Sequence, residues 1–296
     1  MAGPFKSGFV AIVGKPNVGK STLLNALVGE KIAIVSKKPE TTRDKILGIR
    51  HLPQAQICFV DTPGILRPHL LLTRLMVRRA KESLLEADLV VMLVHAFGLD
   101  EEDRRIFQML PKKEKTPALL AINKVDCVKK EKLLPMIEQA HQDYPFREII
   151  PISAKTGDQL DLLLRKVVEY LPEGVPVYPQ ETTTDRSPDF MVRELIREKI
   201  VESTYQEVPY CVAVVLDEME QRRSDLLYLR GTIFVERDSQ KGILIGNNGQ
   251  ALKRIGQRVR QELEGLLRKK VFLELWVKVL RNWRGDPQAL RRFGYL

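Results

Sequence analysis

Gly14-Lys15-Pro16-Asn17-Val18-Gly19-Lys20-Ser21 has the residue types and spacing of a phosphate-binding loop. Its glycines let successive backbone N–H groups turn toward one anion, and the following helix adds the partial positive charge of its N-terminus. In such a loop Lys20 reaches the β- and γ-phosphates and the Ser21 hydroxyl meets Mg2+, with Gly14, Pro16, Asn17, Val18, Gly19 and Thr22 completing the cradle. Asp61-Thr62-Pro63-Gly64, Asn123-Lys124-Val125-Asp126 and Ser153-Ala154-Lys155 follow in that order. Asp61 ends an apolar run, where a carboxylate can hold Mg2+, and Gly64 can offer its N–H to the γ-phosphate. Asp126 can accept from the guanine N1–H and exocyclic amine. Adenine presents neither donor there, which would leave a carboxylate unpaired. Ala154 would bring an N–H to the guanine carbonyl oxygen, with Asn123, Lys124, Ser153 and Lys155 framing the base. The common order, and the apolar run before each string, disfavour chance turns. The ligands implied are GTP or GDP with Mg2+, and the activity is hydrolysis of GTP to GDP and phosphate.

Thr41-Thr42-Arg43-Asp44 lies between the first helix and the next strand, the place of a loop that orders around a γ-phosphate. Thr42 is assigned as its Mg2+ ligand, with Thr41 as the alternative, so Lys20, Thr42 and Gly64 are expected at the reacting phosphate. Ile65 follows Gly64 where Ras-like and Gα proteins carry the glutamine that orients the attacking water. An isoleucine does no such work, so slow intrinsic hydrolysis is expected, helped by a partner, bound RNA or a cation. Arg43 is a candidate for an arginine finger in cis. In relatives that use potassium, an asparagine at the place of Asn17 helps to hold the ion, which makes Asn17 a candidate K+ ligand.

Apolar runs at 9–13, 57–60, 89–94, 118–122 and 149–152 read as buried strands of a mainly parallel sheet. Amphipathic stretches such as 74–87 and 160–171 alternate with them, which argues an α/β domain with helices on both faces over residues 1–172. Prolines, Gly174 and a threonine string make 173–187 read as a linker. Ser187-Pro188 then opens a helix to about 206, and residues 188–296 continue with two strands, a glycine turn at 246–249, helix to about 268, either continuous or split near Gly256, and a last strand.

The formal charge is +10, and it is segregated: residues 241–296 hold 13 Lys plus Arg against 4 Asp plus Glu. Such a balance calls for a polyanionic partner. Three widely spaced cysteines fit a reducing cytoplasm, and no run is long and apolar enough for a bilayer span or a signal peptide. Ile245-Gly246-Asn247-Asn248-Gly249, followed by a basic helix, resembles the I-G-x-x-G turn of a KH domain, which clamps about four single-stranded nucleotides. Lys241, Lys253, Arg254 and Arg258 would supply phosphate contacts, since this turn has asparagines where KH turns often carry a cation. Trp283, Phe293 and Tyr295 lie among arginines, which suits either stacking on bases or packing on the domain.

The switch string 39–44 with the four motifs and the KH-like end resembles the Era family of bacterial GTPases over nearly the whole chain. Der-type GTPases have two tandem G domains, and the tRNA-modifying GTPases end in a reactive-cysteine motif; neither feature is present. The resemblance implies a P-loop α/β domain followed by a smaller α+β type II KH domain. It also implies nucleotide-dependent binding of the 3′ end of small-subunit rRNA and help in 30S assembly, by a cytoplasmic monomer with no DNA partner. The alternative is a regulatory GTPase whose basic end meets lipid headgroups at the inner face of the cell membrane, as a peripheral contact.

Overall fold

The computed structural model of the chain describes residues 3–36, 38, 41–64, 70–111 and 116–296. The described chain forms two contact units, one built mainly from residues 42–185 with the N-terminal stretch, the other mainly from 186–296.

In the first unit the order is β1 (Lys6–Val13), α1 (Lys20–Val28), β2 (Ile46–Leu52), β3 (Ala55–Asp61), α2 (Leu71–Glu86), β4 (Leu89–His95), α3 (Glu101–Met109), β5 (Ala118–Asn123), α4 (Leu133–Asp143), β6 (Glu148–Pro151) and α5 (Leu160–Tyr170). The six strands lie in the order β2-β3-β1-β4-β5-β6. All adjacent pairs are parallel except β2 with β3. The central strands are apolar along their length because both faces are covered, and Val90, Met92, Leu120 and Ile122 pack with Ile106 and Phe107 of α3 and Met136 and Ala140 of α4. This sheet aims the C-terminal ends of β1, β3 and β5, and with them the loop after each, at one edge.

The sequence reading missed β2. It is an edge strand interrupted by Gly48, Arg50 and His51, so it lacks the apolar run that marked the others. Gly48 makes room there for the ends of three side chains, since a Cβ would meet Ile32, Val28 and Leu24 at 2.5–2.8 Å. The proline-rich stretch after α5 is no free tether: it runs beside β2. Gln56, 1% exposed, accepts from the amides of Val177 (2.6 Å) and Tyr178 (3.0 Å) and donates to the Tyr178 carbonyl (2.7 Å). The Ile49 amide donates to the Thr183 carbonyl (2.8 Å), and the Thr184 hydroxyl to the Leu47 carbonyl (2.7 Å). Tyr178 packs on Leu47, Ile49, Cys58 and Val60. These bonds place residues through Asp185 in the first unit.

The second unit contains α6 (Pro188–Ser203), β7 (Ala213–Arg223), β8 (Leu226–Val235), α7 (Asp238–Ile245), α8 (Gln250–Leu267), β9 (Lys270–Val279) and α9 (Pro287–Arg292). Proline at the first turn of α6 fits its fixed φ and missing N–H. The sheet order is β7-β8-β9, with β8 antiparallel to β7 and parallel to β9. One face is sealed by apolar residues of α6, α7 and α8, among them Ile196, Leu244, Ile255 and Val259. The helical break comes at Gly246–Gly249 and not near Gly256: the chain before the turn is itself the helix α7, and α8 runs unbroken. The tail aromatics resolve to packing. Trp283, Phe293 and Tyr295 are buried, with Trp283 edge-on to Phe293 and donating through Nε1 to the Cys211 carbonyl (2.9 Å).

Candidate nucleotide site and KH turn

Between β1 and α1 the loop turns through residues with positive φ: Gly14 (153°), Asn17 (63°) and Gly19 (104°). Asn17 tolerates this region better than most side chains. Gly19 is doubly constrained, because a Cβ there would also meet Asn123 Nδ2 at 2.4 Å. Lys20 opens α1, buried, with its ammonium donating to the carbonyls of Gly14 (3.0 Å) and Lys15 (2.9 Å). Gly64 comes so near the loop that a Cβ would sit 2.9–3.1 Å from Pro16, which brings the strings at 14–21 and 61–64 together.

Asp61, fully buried at the end of β3, accepts from the Ser21 hydroxyl (2.6 Å) and the Thr42 hydroxyl (3.4 Å), and those two hydroxyls are 2.8 Å apart. The other carboxylate oxygen, Oδ1, is buried with no hydrogen-bond partner. Two hydroxyls and an orphan carboxylate oxygen are a hard oxygen donor set, the chemistry that suits Mg2+. Thr41 points elsewhere, its hydroxyl donating to the Lys38 carbonyl (2.7 Å), so Thr42 and not Thr41 shares the Ser21–Asp61 cluster. Arg43 is buried at 2% exposure. Burial pushes the Asp61 carboxyl up to about 6, against the pull of Lys20 and the two hydroxyls. Burial likewise lowers Lys20 to about 8.

At the far side of the loop Asn123, 3% exposed, joins three strings. Its Nδ2 donates to the Val18 carbonyl (2.7 Å) and its Oδ1 accepts from the Ala154 amide (2.9 Å). In this arrangement the Ala154 N–H is therefore engaged by Asn123, and a guanine carbonyl would have to exchange with that bond. Lys124 Nζ donates to the Asn17 carbonyl (2.6 Å). Ser153 is buried and donates to Asp126 Oδ1 (2.7 Å), which lowers the carboxyl of the exposed Asp126. Lys155 is exposed beside it.

Lys15 lies in the phosphate loop, but the sequence reading gave it no role. Its ammonium pairs with Asp103 (2.9 Å) and with Asp100, the two members of the capping box that starts α3. Burial alone would raise the Asp100 carboxyl, but the Lys15 bond and the helix amide hold it at about 2. The cation thus ties the phosphate loop to α3 while its carbonyl receives Lys20. The sequence signal was Asp100-x-x-Asp103 itself, an N-cap pattern with a partner sought elsewhere. Ile65, Pro39 and Glu40 lie outside the described residues.

In the second unit the turn joining α7 to α8 has positive φ at Gly246 (69°), Asn248 (49°) and Gly249 (77°), and Asn247 and Asn248 are exposed. A Cβ at Gly246 would strike Ala251 Cβ at 2.7 Å, so the turn requires glycine there. Lys253 and Arg254 are exposed on α8, and Lys241 and Ile245 are half-buried on α7. Arg258 does not stand free with them: it pairs with Glu202 and donates to the Ser203 hydroxyl (3.1 Å). The reading also passed over Ile243, 53% exposed on α7 and an apolar neighbour of the turn.

Family models match in the same order. Residues 9–124 match one described as a 50S ribosome-binding GTPase, and residues 207–284 match the KH domain. The GTPase Era of Syntrophus aciditrophicus is 47% identical over 98% of this chain and 95% of its own length. That of Lactobacillus helveticus is 48% identical over 98% and 96%. The chain belongs to the Era family of GTPases. Among solved structures, an Era in complex with MgGDPNP and nucleotides 1506–1542 of 16S ribosomal RNA is 44% identical, with a TM-score of 0.95 over 98% of this chain and 99% of that one. A variant of Aquifex aeolicus Era bound to GDP and AlF4− gives the same identity, TM-score and coverage. The fold is thus a P-loop α/β GTPase domain followed by a KH domain, GTP or GDP with Mg2+ is its ligand set, and the activity is GTP hydrolysis.

The raised Asp61 carboxyl sets a pH dependence. A folded value near 6 against an ordinary 3.8 means that protonated Asp61 is favoured by the fold, so its contribution to stability is lost as pH rises through about 6. Binding a dication requires the opposite, charged form. Mg2+-dependent nucleotide affinity should therefore fall below pH 6, approaching tenfold per pH unit for one competing proton. Nucleotide-free protein should gain thermal stability from the same site over the same interval. Titration calorimetry between pH 5 and pH 7.5 measures the first; Asp61→Asn should remove the pH dependence along with the Mg2+ requirement.

Proposed function

We propose that this GTPase engages the 3′ end of 16S rRNA through its KH turn in a nucleotide-dependent manner and assists assembly of the 30S subunit. What carries the reading is the combination, in one chain, of a converged guanine-nucleotide site with a glycine turn that opens onto a basic helix. The 44% identical relative solved with MgGDPNP and rRNA nucleotides supports it. No helix among the described residues is long and apolar enough to cross a membrane.

In this reading Lys20 and the amides of Gly14–Ser21 hold the β- and γ-phosphates, and Lys20 gives up its two carbonyls to do so. Ser21, Thr42 and Asp61 would hold Mg2+, which neutralises charge between the phosphates. The Gly64 amide meets the γ-phosphate, so loss of that group releases the segment around Thr42. Asn123, Lys124, Ser153, Ala154 and Lys155 position the base, and Asp126 selects guanine. Ile65 would contribute no hydrogen bond to a water, which would make intrinsic turnover slow, and Asn17 would help to hold K+. Lys241, Ile245, Lys253 and Arg254 flank the RNA at the Gly246–Gly249 turn, with Arg258 joining only by leaving Glu202. The protein acts as a cytoplasmic monomer.

Asp126→Asn should replace an acceptor with a donor and shift preference from GTP to xanthosine triphosphate by at least tenfold; unchanged GTP affinity would refute the role. Turnover measured in KCl and in NaCl tests Asn17, with faster hydrolysis expected in KCl and a loss of the difference in Asn17→Ala. The function itself is tested by filter binding of 16S rRNA 3′-end fragments with GTP, with GDP and without nucleotide. Micromolar or tighter affinity is expected in at least one state. It should fall steeply with salt as Lys and Arg displace counterions. Absence of binding in all three would sink the reading.

A further inference from the structure

The three tail aromatics once available for stacking are buried, yet the second unit does expose aromatic rings, on β9. Phe272 is 52% exposed and Trp276 59%. Side chains alternate along a strand, and Val271 and Val277 lie in the core under the helices. Lys270, Phe272, Glu274, Trp276 and Lys278 therefore share the outer face of the sheet, and both lysines are exposed. Phe272 pairs in register with Tyr228 of β8, their rings nearly parallel at 17° and 5.9 Å apart. The guanidinium of Arg222 lies over the Tyr228 ring, 3.5 Å from its centroid. A cation, a ring and a second ring form a ladder that ends at Phe272, on an edge strand. Glu274 is held by the Tyr228 hydroxyl (3.1 Å), and Glu218 by Arg230 (3.0 Å), so much of the acidic charge on this face is already engaged.

We infer that the outer face of β9 is a second single-stranded RNA platform, on which bases stack against Phe272 and Trp276 while Lys270 and Lys278 meet the flanking phosphates. This rests on the RNA-binding reading above. A KH turn clamps about four nucleotides, whereas the relative's complex holds nucleotides 1506–1542, a far longer segment. α7 and α8, which carry the turn, cover the opposite face of β9, and β9 is an edge strand, so RNA leaving the turn would reach the outer face by passing around this edge. Exposed aromatics on a sheet give sequence-tolerant stacking, and the ladder leaves its terminal ring open to a planar base.

The full chain is titrated with an RNA of nucleotides 1506–1542 and with a fragment of roughly five nucleotides that fills only the turn. Phe272→Ala/Trp276→Ala should weaken the long RNA about 10- to 100-fold and leave the short one within about twofold, and Trp276→Tyr should restore most of the loss. The chain has two tryptophans and Trp283 is fully buried, so acrylamide quenching reports on Trp276 and should drop when the long RNA binds. Parent binding with an unaffected double variant and unshielded Trp276 would overturn this inference and leave the function standing. A double variant that keeps RNA affinity but no longer cosediments with 30S subunits would make the face a protein contact, also overturning it. Failure of the parent to bind either RNA would remove the function reading and this platform together.

Discussion

One buried amide holds the nucleotide site in register. Asn123 binds the loop at Val18, 105 residues away, with its nitrogen and the 153–155 turn at Ala154, 31 residues on, with its oxygen, so three strings share one side chain. Each of those strings hangs from the end of a different strand, and the parallel sheet alone fixes such ends only loosely. A polar group that is buried and satisfied on both sides is demanding, because a shift of any partner leaves an unpaired donor or acceptor. Gly19 must be glycine for the same reason, as the amide occupies the space a Cβ would need. Asp126 and Ser153, bonded to each other, then sit at a geometry already set.

The other end of the site follows a different rule. Around Asp61 the structure accepts a burial cost: a carboxylate with one orphan oxygen and a buried ammonium stand close together. These groups are shifted toward their neutral forms by the fold, and in the proposed reading a dication with phosphates would supply what the protein alone withholds. Ligand affinity and local stability are thereby linked at the same atoms. Lys15 complements this by tying the loop to the α3 capping box, so the loop backbone is fixed from behind while its front stays open to exchange.

Much of this was legible from residue order. The central strands read directly because double-sided burial forces continuous apolar runs, and the nucleotide motifs read because their chemistry tolerates few substitutes. β2 did not read, since Arg50 and His51 cross it and its outer edge, away from β3, takes its partners from a distant segment. Lys15 was hidden because its role depends on residues 85 and 88 positions later, a separation invisible to local pattern. The aromatics among arginines left two readings open, and the burial of Trp283 and Phe293 decides for packing, while the exposed pair on β9 alternates with residues of the opposite face and looked like an ordinary strand. Composition located the basic end but gave no sign that Arg258, itself exposed, pairs with Glu202.

The proline-rich stretch beside β2 determines where the chain is divisible. An edge strand with free hydrogen-bonding groups invites pairing with other molecules, and proteins commonly cover it. Here the cover comes from residues that look like a tether. A GTPase domain cut at the first prolines would shed Tyr178 and Thr183 and present β2 bare, whereas one carried through Asp185 keeps its own guard. The two modules are thus separable in chemistry at one place and in sequence at another, about a dozen residues on.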